Sequence, residues 1–267
     1  MEIKPKKSLG QNFLINAGIL EKIVSAAELS SDDTVLEIGP GTGNLTKLLS
    51  EKAGRVIAIE KDRRLIDELR EKFKNMNFEI IEGDILKIDI GTLISNPLSK
   101  ASGNWGGYKV VGNIPYYITS NLLRTIFEKW PKPKLIVLTV QKEVAQRIVA
   151  KPPDMNLLAL SMQFYSIPTI IGHISKGSFR PIPKVDSAII KLIPKKDPLA
   201  DQALFFKLIK AGFAGKRKQL ANNLSKNLGI PKDKVIGILQ ELGLDEKVRA
   251  ENLSLEKWSK LRSFIDF

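Results

Sequence analysis

The chain has 267 residues, 43% of them hydrophobic, enough for one large domain, a smaller one and packed cores. With no cysteine and a single histidine, His173, it excludes disulfides, thiolate nucleophiles and cysteine metal sites, leaves almost no material for a histidine triad, and is expected to use no metal. Lys and Arg number 42 against 29 Asp and Glu, and the net charge of +13 points to a polyanion: nucleic acid ahead of a membrane surface, since no segment sets a large apolar face against a basic one.

The opening stretch, MEIKPKKSLGQNF, lacks the apolar core of a secretory signal, and no apolar run is long enough to span a bilayer, so a cytoplasmic protein without membrane contact is expected. Further on, short β-branched runs alternate with helical patterns, which predicts an α/β fold built on a mainly parallel sheet. The strands are TVLEIG (34–39), RVIAIE (55–60), FEIIEG (78–83), KVVGN (109–113) and LIVLTVQ (135–141). NLTKLLSEK, DRRLIDELREKFK and SNLLRTIFEKW carry apolar residues at helical spacing between them. TIIGHI (169–174) and SAIIKLI (187–193) follow with no long helix between them, predicting an antiparallel hairpin at the sheet edge that carries His173, to which no role is assigned.

Acids and glycines gather at the strand ends. In VLEIGPGTGNLT, Gly39, Gly41 and Gly43 lie between a strand and a helix, where backbone can approach a ligand closely. The spacing is G-x-G-x-G; with Asn44 next and Thr46 beyond it, the third glycine of a dinucleotide fingerprint is missing. Glu37, just before the loop, could accept from an ammonium, a group that dinucleotides lack and S-adenosylmethionine carries. Glu60, ending the next strand, suits a pair of ribose hydroxyls, and Lys61 beside it is counted with the cofactor-binding candidates. Asp84, after the third strand, suits the adenine amino group.

The stretch VVGNIPYY (110–117) stops a core strand at Gly112 and Pro115. It presents an amide, carbonyl oxygens and aromatic faces at one strand end, a suitable seat for a flat polar molecule. After the last strand, IPKKDPLADQ (193–202) breaks the pattern and the rest is helical, so domains are expected at 1–194 and 195–267. Residues 195–267 hold 15 Lys/Arg against 9 Asp/Glu, and AGFAGKRKQLANNL sets Lys216, Arg217 and Lys218 at a glycine-led helix start, poor for the helix dipole and suited to phosphate contact.

Four segments in order, KKSLGQNFL, EIGPGTGNLT, GNIPYY and SFRPIPKVDSAII, make nearly the whole chain resemble the ribosomal RNA adenine dimethyltransferases. That resemblance implies a Rossmann-like, seven-stranded class I methyltransferase sheet with a small all-helical C-terminal domain that binds RNA. It implies S-adenosylmethionine as cofactor and N6,N6-dimethylation of two adjacent adenosines near the 3′ end of small-subunit ribosomal RNA, free or in a pre-ribosomal particle, by a monomer. Gln11, Asn12 and Leu14 would close the cofactor pocket, which Gly39, Glu60, Asp84, Ile85 and Asn113 would line. Asn113 and the Ile114 or Pro115 carbonyl would accept the two N–H bonds of the target amine, while Tyr116 and Phe179 would stack on the purine. Ile114 stands where leucine is common, a volume-conserving exchange. Two other readings share parts of the pattern: an RNA-binding assembly or transcription factor that kept the fold without the chemistry, and a nicotinamide oxidoreductase, which the loop spacing disfavours.

Overall fold

In the computed structural model of the protein, residues 4–95, 107–196 and 202–265 are described. Part of the expected linker, 197–201, lies outside the described residues.

In chain order the elements are β1 (Phe13–Leu14), α1 (Ala17–Ala26), β2 (Thr34–Ile38), α2 (Asn44–Ser50), β3 (Arg55–Glu60), α3 (Arg63–Lys72), β4 (Phe78–Glu82), α4 (Ile90–Ser95), β5 (Tyr108–Asn113), α5 (Thr119–Lys129), β6 (Leu135–Gln141), α6 (Lys142–Ile148), α7 (Leu157–Tyr165), β7 (Ser166–Ile174), β8 (Phe179–Arg180) and β9 (Ser187–Pro194). Four helices follow: α8 (Gln202–Gly212), α9 (Leu220–Leu228), α10 (Lys232–Glu241) and α11 (Leu255–Ser263). Seven strands form one sheet in the order β4-β3-β2-β5-β6-β9-β7. β2 pairs in parallel with β3 and β5, β3 with β4, and β5 with β6, whereas β9 runs antiparallel to β6 and β7 lies beyond it at the edge. His173 is exposed on that edge strand. β1 and β8 form a separate antiparallel pair, Phe13 opposite Arg180 and Leu14 opposite Phe179.

The central strands are apolar on both faces because helices cover both: Val35, Leu36, Val56, Ile57, Val110, Val111 and Ile136–Leu138 are all buried. Asn16 caps α1, accepting from the Ile19 amide at 3.1 Å, and Asp62 caps α3, accepting from the Arg64 amide at 3.3 Å. At the amino ends of β2 and β5, buried Lys109 donates to the Asp33 carboxylate at 2.9 Å. Burial opposes ionisation of Asp33, but Lys109 and Ser30 prevail and hold its carboxyl below the usual range.

The chain divides into two compact units: Met1–Ala145 with Thr169–Pro194, and Gln146–Pro168 with Lys195–Phe267. The helical unit thus takes in Gln146–Pro168 besides the residues after Pro194, because α7 supplies part of its core. Phe164 stacks on Phe205 with centroids 4.7 Å apart, and Tyr165 on Phe206 at 5.7 Å. The Lys195 amide donates to the Tyr165 carbonyl at 2.9 Å. Lys216, Arg217 and Lys218 are exposed in the turn before α9, whose N-cap is Gln219, rather than on a helix start. Buried Asn223 dictates that turn: its Nδ2 donates to the carbonyls of Gly212 at 2.6 Å and Gly215 at 3.0 Å. No described helix is long and apolar enough to cross a membrane.

Removing one partner of the Lys109–Asp33 pair leaves a buried charge uncompensated. Asp33→Ala is expected to lower unfolding stability by about 3–5 kcal/mol in a denaturant titration. Because the pair lies at the strands' amino ends, ligand binding at their carboxyl ends should be unchanged well below the melting temperature.

Candidate active site

The carboxyl ends of β2, β3, β4 and β5 open onto one cleft, and residues 9–14, 37–42, 59–61, 83–85 and 113–118 contribute to its wall. Its floor is the glycine loop. Gly39, Gly41 and Gly43 have φ of +68°, +58° and +80°, left-handed conformations that other residues rarely adopt, and a Cβ at Gly43 would stand 2.7 Å from the Phe73 ring. Gly112 meets a different demand: a Cβ there would stand 2.7 Å from the Ile38 carbonyl. The residue before Asn113 is therefore glycine because β5 must end tight against β2.

The acids at the strand ends differ in their partners. Glu37 is 1% exposed, and neither of its carboxylate oxygens has a hydrogen-bond partner among the described residues. Burial pushes its carboxyl up to about 8; Thr46, near enough to oppose the rise though without the geometry of a hydrogen bond, is outweighed, and the Glu60 charge adds to it. Glu60 accepts from the backbone amides of Gly41 at 3.2 Å, Lys61 at 2.8 Å and Asp62 at 2.8 Å. Burial raises its pKa against those three donors. Asp84 accepts from Lys61 Nζ at 2.9 Å and from the Leu86 amide at 3.1 Å, and Lys61 holds its carboxyl below the usual range despite partial burial.

The N-terminal segment lies along the cleft. Gln11 Nε2 donates to Asp62 at 2.9 Å, its Oε1 accepts from the Lys6 amide at 2.7 Å, and Asn44 Nδ2 donates to the Leu14 carbonyl at 3.1 Å. The Arg64 guanidinium contacts both Asp62 oxygens, at 2.9 and 2.6 Å, and with Gln11 holds that carboxyl well below the ordinary range against its burial. The Asn12 side chain turns back to the Gly10 carbonyl at 3.2 Å, while its own carbonyl accepts from Asn113 Nδ2 at 2.9 Å.

The catalytic-turn candidates converge here. Asn113 Oδ1 accepts from the Thr139 hydroxyl at 2.5 Å, and the Tyr116 and Ser187 hydroxyls share a hydrogen bond of 2.6 Å. The Pro115 carbonyl accepts from the Ile118 amide at 3.2 Å in a single 3₁₀ turn. Of the expected residues, Gln11, Asn12, Leu14, Glu37, Gly39, Gly41, Glu60, Lys61, Asp84, Ile85, Asn113, Pro115 and Tyr116 line the cleft, and Gly43 supports the loop behind it. Phe179 does not join them. It is fully buried in the core with Leu14, Val111 and Ile189, paired with Leu14 across β1 and β8. Asp62, Thr139 and Ser187 escaped the sequence reading. Thr139 left one signal, a lone hydroxyl within the otherwise apolar run LIVLTV.

The family described as ribosomal RNA adenine dimethylase matches residues 3–266. The chain is 46% identical over 263 residues to ribosomal RNA small subunit methyltransferase A of Dehalococcoides mccartyi (strain CBDB1), covering 97% of this chain and 88% of that protein. Identity to the protein of the same name from Lachnoclostridium phytofermentans is 40%, covering 98% and 91%. Among solved structures, a dimethyladenosine transferase from Plasmodium falciparum superposes with a TM-score of 0.77 at 33% identity, over 93% of this chain and 95% of that one. The 23S rRNA methyltransferase ErmE superposes with a TM-score of 0.77 at 27% identity, over 95% and 99%.

An unpartnered, buried Glu37 has a testable consequence. Between about pH 4.5 and 8 the folded chain keeps a proton that the unfolded chain has lost, so this group makes stability fall as pH rises through that window. Glu37→Gln, measured without ligand, should gain on the parent by an amount that grows from near zero at pH 4.5 to the order of 4 kcal/mol at pH 8, then levels off. A pH-independent difference would show that Glu37 ionises freely in the fold.

Proposed function

The chain belongs to the ribosomal RNA adenine dimethylase family, and on that premise we propose that it dimethylates N6 of two adjacent adenosines near the 3′ end of small-subunit ribosomal RNA. The small subunit is preferred over the large because the relatives that are 40–46% identical carry the small-subunit name. The observation that carries the reading is the meeting, in one cleft, of the glycine loop, an unpartnered Glu37 carboxylate and the anchored Asn113 amide. A protein that kept only an RNA-binding role would have no use for these.

S-adenosylmethionine is the proposed cofactor, and the residues fit it. A buried carboxyl without a partner suits its ammonium, the glycine loop admits backbone close to the ligand, and Glu60 keeps about one lone-pair site for a ribose hydroxyl beyond its three backbone donors. Asp84 and Ile85 would receive the adenine, with Gln11, Asn12 and Leu14 closing the cleft. The cofactor supplies an electrophilic methyl on a sulfonium sulfur. An exocyclic adenine amine is a weak nucleophile because its lone pair is delocalised into the ring, so the chain's task is to orient it. Asn113 Oδ1 accepts one amine N–H. The Ile114 or the Pro115 carbonyl accepts the other; the bond that Pro115 accepts from the Ile118 amide leaves its second lone pair available. Tyr116, its hydroxyl tied to Ser187, stacks on the purine, an interaction worth about 1–3 kcal/mol in nucleic-acid sites. The methylated amine is acidic enough to lose its proton to water, so no strong base is needed. A monomer acting in the cytoplasm on RNA or an assembling subunit accords with this reading, and the exposed Lys216, Arg217 and Lys218 would contact phosphates.

Asn113→Ala should lower methyl transfer to small-subunit RNA roughly 100-fold while the calorimetric affinity for S-adenosylmethionine changes far less. Near-normal turnover in that variant, or equal transfer to large-subunit RNA by the parent, would contradict the assignment. Neutralising Lys216, Arg217 and Lys218 together should weaken RNA binding for all sequences alike and flatten its salt dependence by about 0.7–0.9 log units of slope per lost contact. Filter binding across a salt series reads this, cofactor affinity should not move, and saturating RNA should restore most of the rate.

A further inference from the structure

We propose that Thr139 is the positioning residue that orients the Asn113 amide, through a buried hydroxyl bonded to Oδ1, for acceptance of the substrate amine; this rests on the role given to Asn113 above. The terminal torsion of an asparagine is broad and two-fold, so an amide at a cleft wall can present either its oxygen or its nitrogen. Here both ends are bound. The Asn12 carbonyl can only accept, which assigns the end facing it, at 2.9 Å, as Nδ2. The other end is therefore Oδ1, and the Thr139 hydroxyl, 2.5 Å away, must donate to it. Oδ1 has two lone pairs; Thr139 takes one, and the second remains for an N–H of the substrate.

The hydroxyl has no packing rationale. Thr139 is fully buried on β6 between Leu138 and Val140, both also fully buried, directly across the ladder from Asn113 on one side and Ile189 on the other. Valine has the same shape and would suit the strand as well, whereas a buried hydroxyl is costly unless bonded. Its hydroxyl bonds to Asn113. The two restraints come from separate parts of the chain, Thr139 from the adjacent strand and Asn12 from the N-terminal segment, so loss of the hydroxyl leaves the amide held at its nitrogen end alone.

The test is steady-state methyl transfer by Thr139→Val, Thr139→Ser, Asn113→Ala and the double variant Asn113→Ala/Thr139→Val, with melting temperatures and calorimetric cofactor binding for each. Thr139→Val should lower kcat about 10- to 100-fold with KM for RNA and cofactor affinity within about twofold, because a misplaced acceptor is felt only at the reacting amine. Thr139→Ser, which keeps the hydroxyl and loses the methyl, should recover most of the rate. The double variant should be no slower than Asn113→Ala, since the two act as one unit. Thr139→Val with parental kcat, Thr139→Ser as slow as Thr139→Val, or an additive double variant would each overturn the proposal. Should Thr139→Val not fold, Thr139→Ser decides: most of the parental turnover is expected and a slow folded enzyme refutes. An active Asn113→Ala would instead remove the reading of Asn113, whereas an inactive Asn113→Ala with normal Thr139→Val removes the role of Thr139 alone.

Discussion

Strands β2 and β5 end so close together that residue 112 has no room for a side chain; a Cβ would stand 2.7 Å from the Ile38 carbonyl. Everything in the cleft depends on that approach. It sets the glycine loop, which leaves β2 at Gly39, against the turn that leaves β5 at Asn113. It also aligns Asn113 with Thr139 on β6. Because both faces of these strands are packed against helices, a slip of register would move each side chain to the opposite layer and break the fit of the core, and this packing holds the alignment.

The same sheet sorts its carboxylates by what remains of their bonding capacity. Asp62 is consumed by Arg64 and Gln11 and serves to fasten the N-terminal segment. Glu60 spends part of its capacity on three backbone amides and so stiffens the loop that it faces. Asp84 is paired with Lys61, whose side chain is half exposed, so that bond is easily exchanged for a ligand. Glu37 is spent on nothing. An acid that is buried, unpaired and pushed up to about 8 is costly to a folded chain, and its site beside a glycine loop marks it as an unfilled acceptor rather than a structural link.

The N-terminal segment then joins the two halves of the cleft. Gln11 fastens it on the β3 side, the pairing of β1 with β8 holds it at Phe13 and Leu14, and the Asn12 carbonyl between them in sequence receives Asn113. Closure of the cleft and orientation of the amide are thus parts of one arrangement.

Sequence alone determined the strands from 34 to 141, the glycine loop, the acids that follow the strands and the turn at Asn113, because each is written in neighbouring residues: apolar runs, breakers and spacing. Only the tertiary structure decided that Phe179 is core, that Gln146–Pro168 joins the helical unit, and that Lys216–Lys218 occupy a turn. It also decided which end of the Asn113 amide points where. That last choice depends on contacts 101 residues away at Asn12 and 26 away at Thr139, and on a buried hydroxyl whose local pattern is that of any strand threonine. Periodicity reports which face of an element is apolar; it carries no information about which distant donor or acceptor the fold sets opposite a given atom.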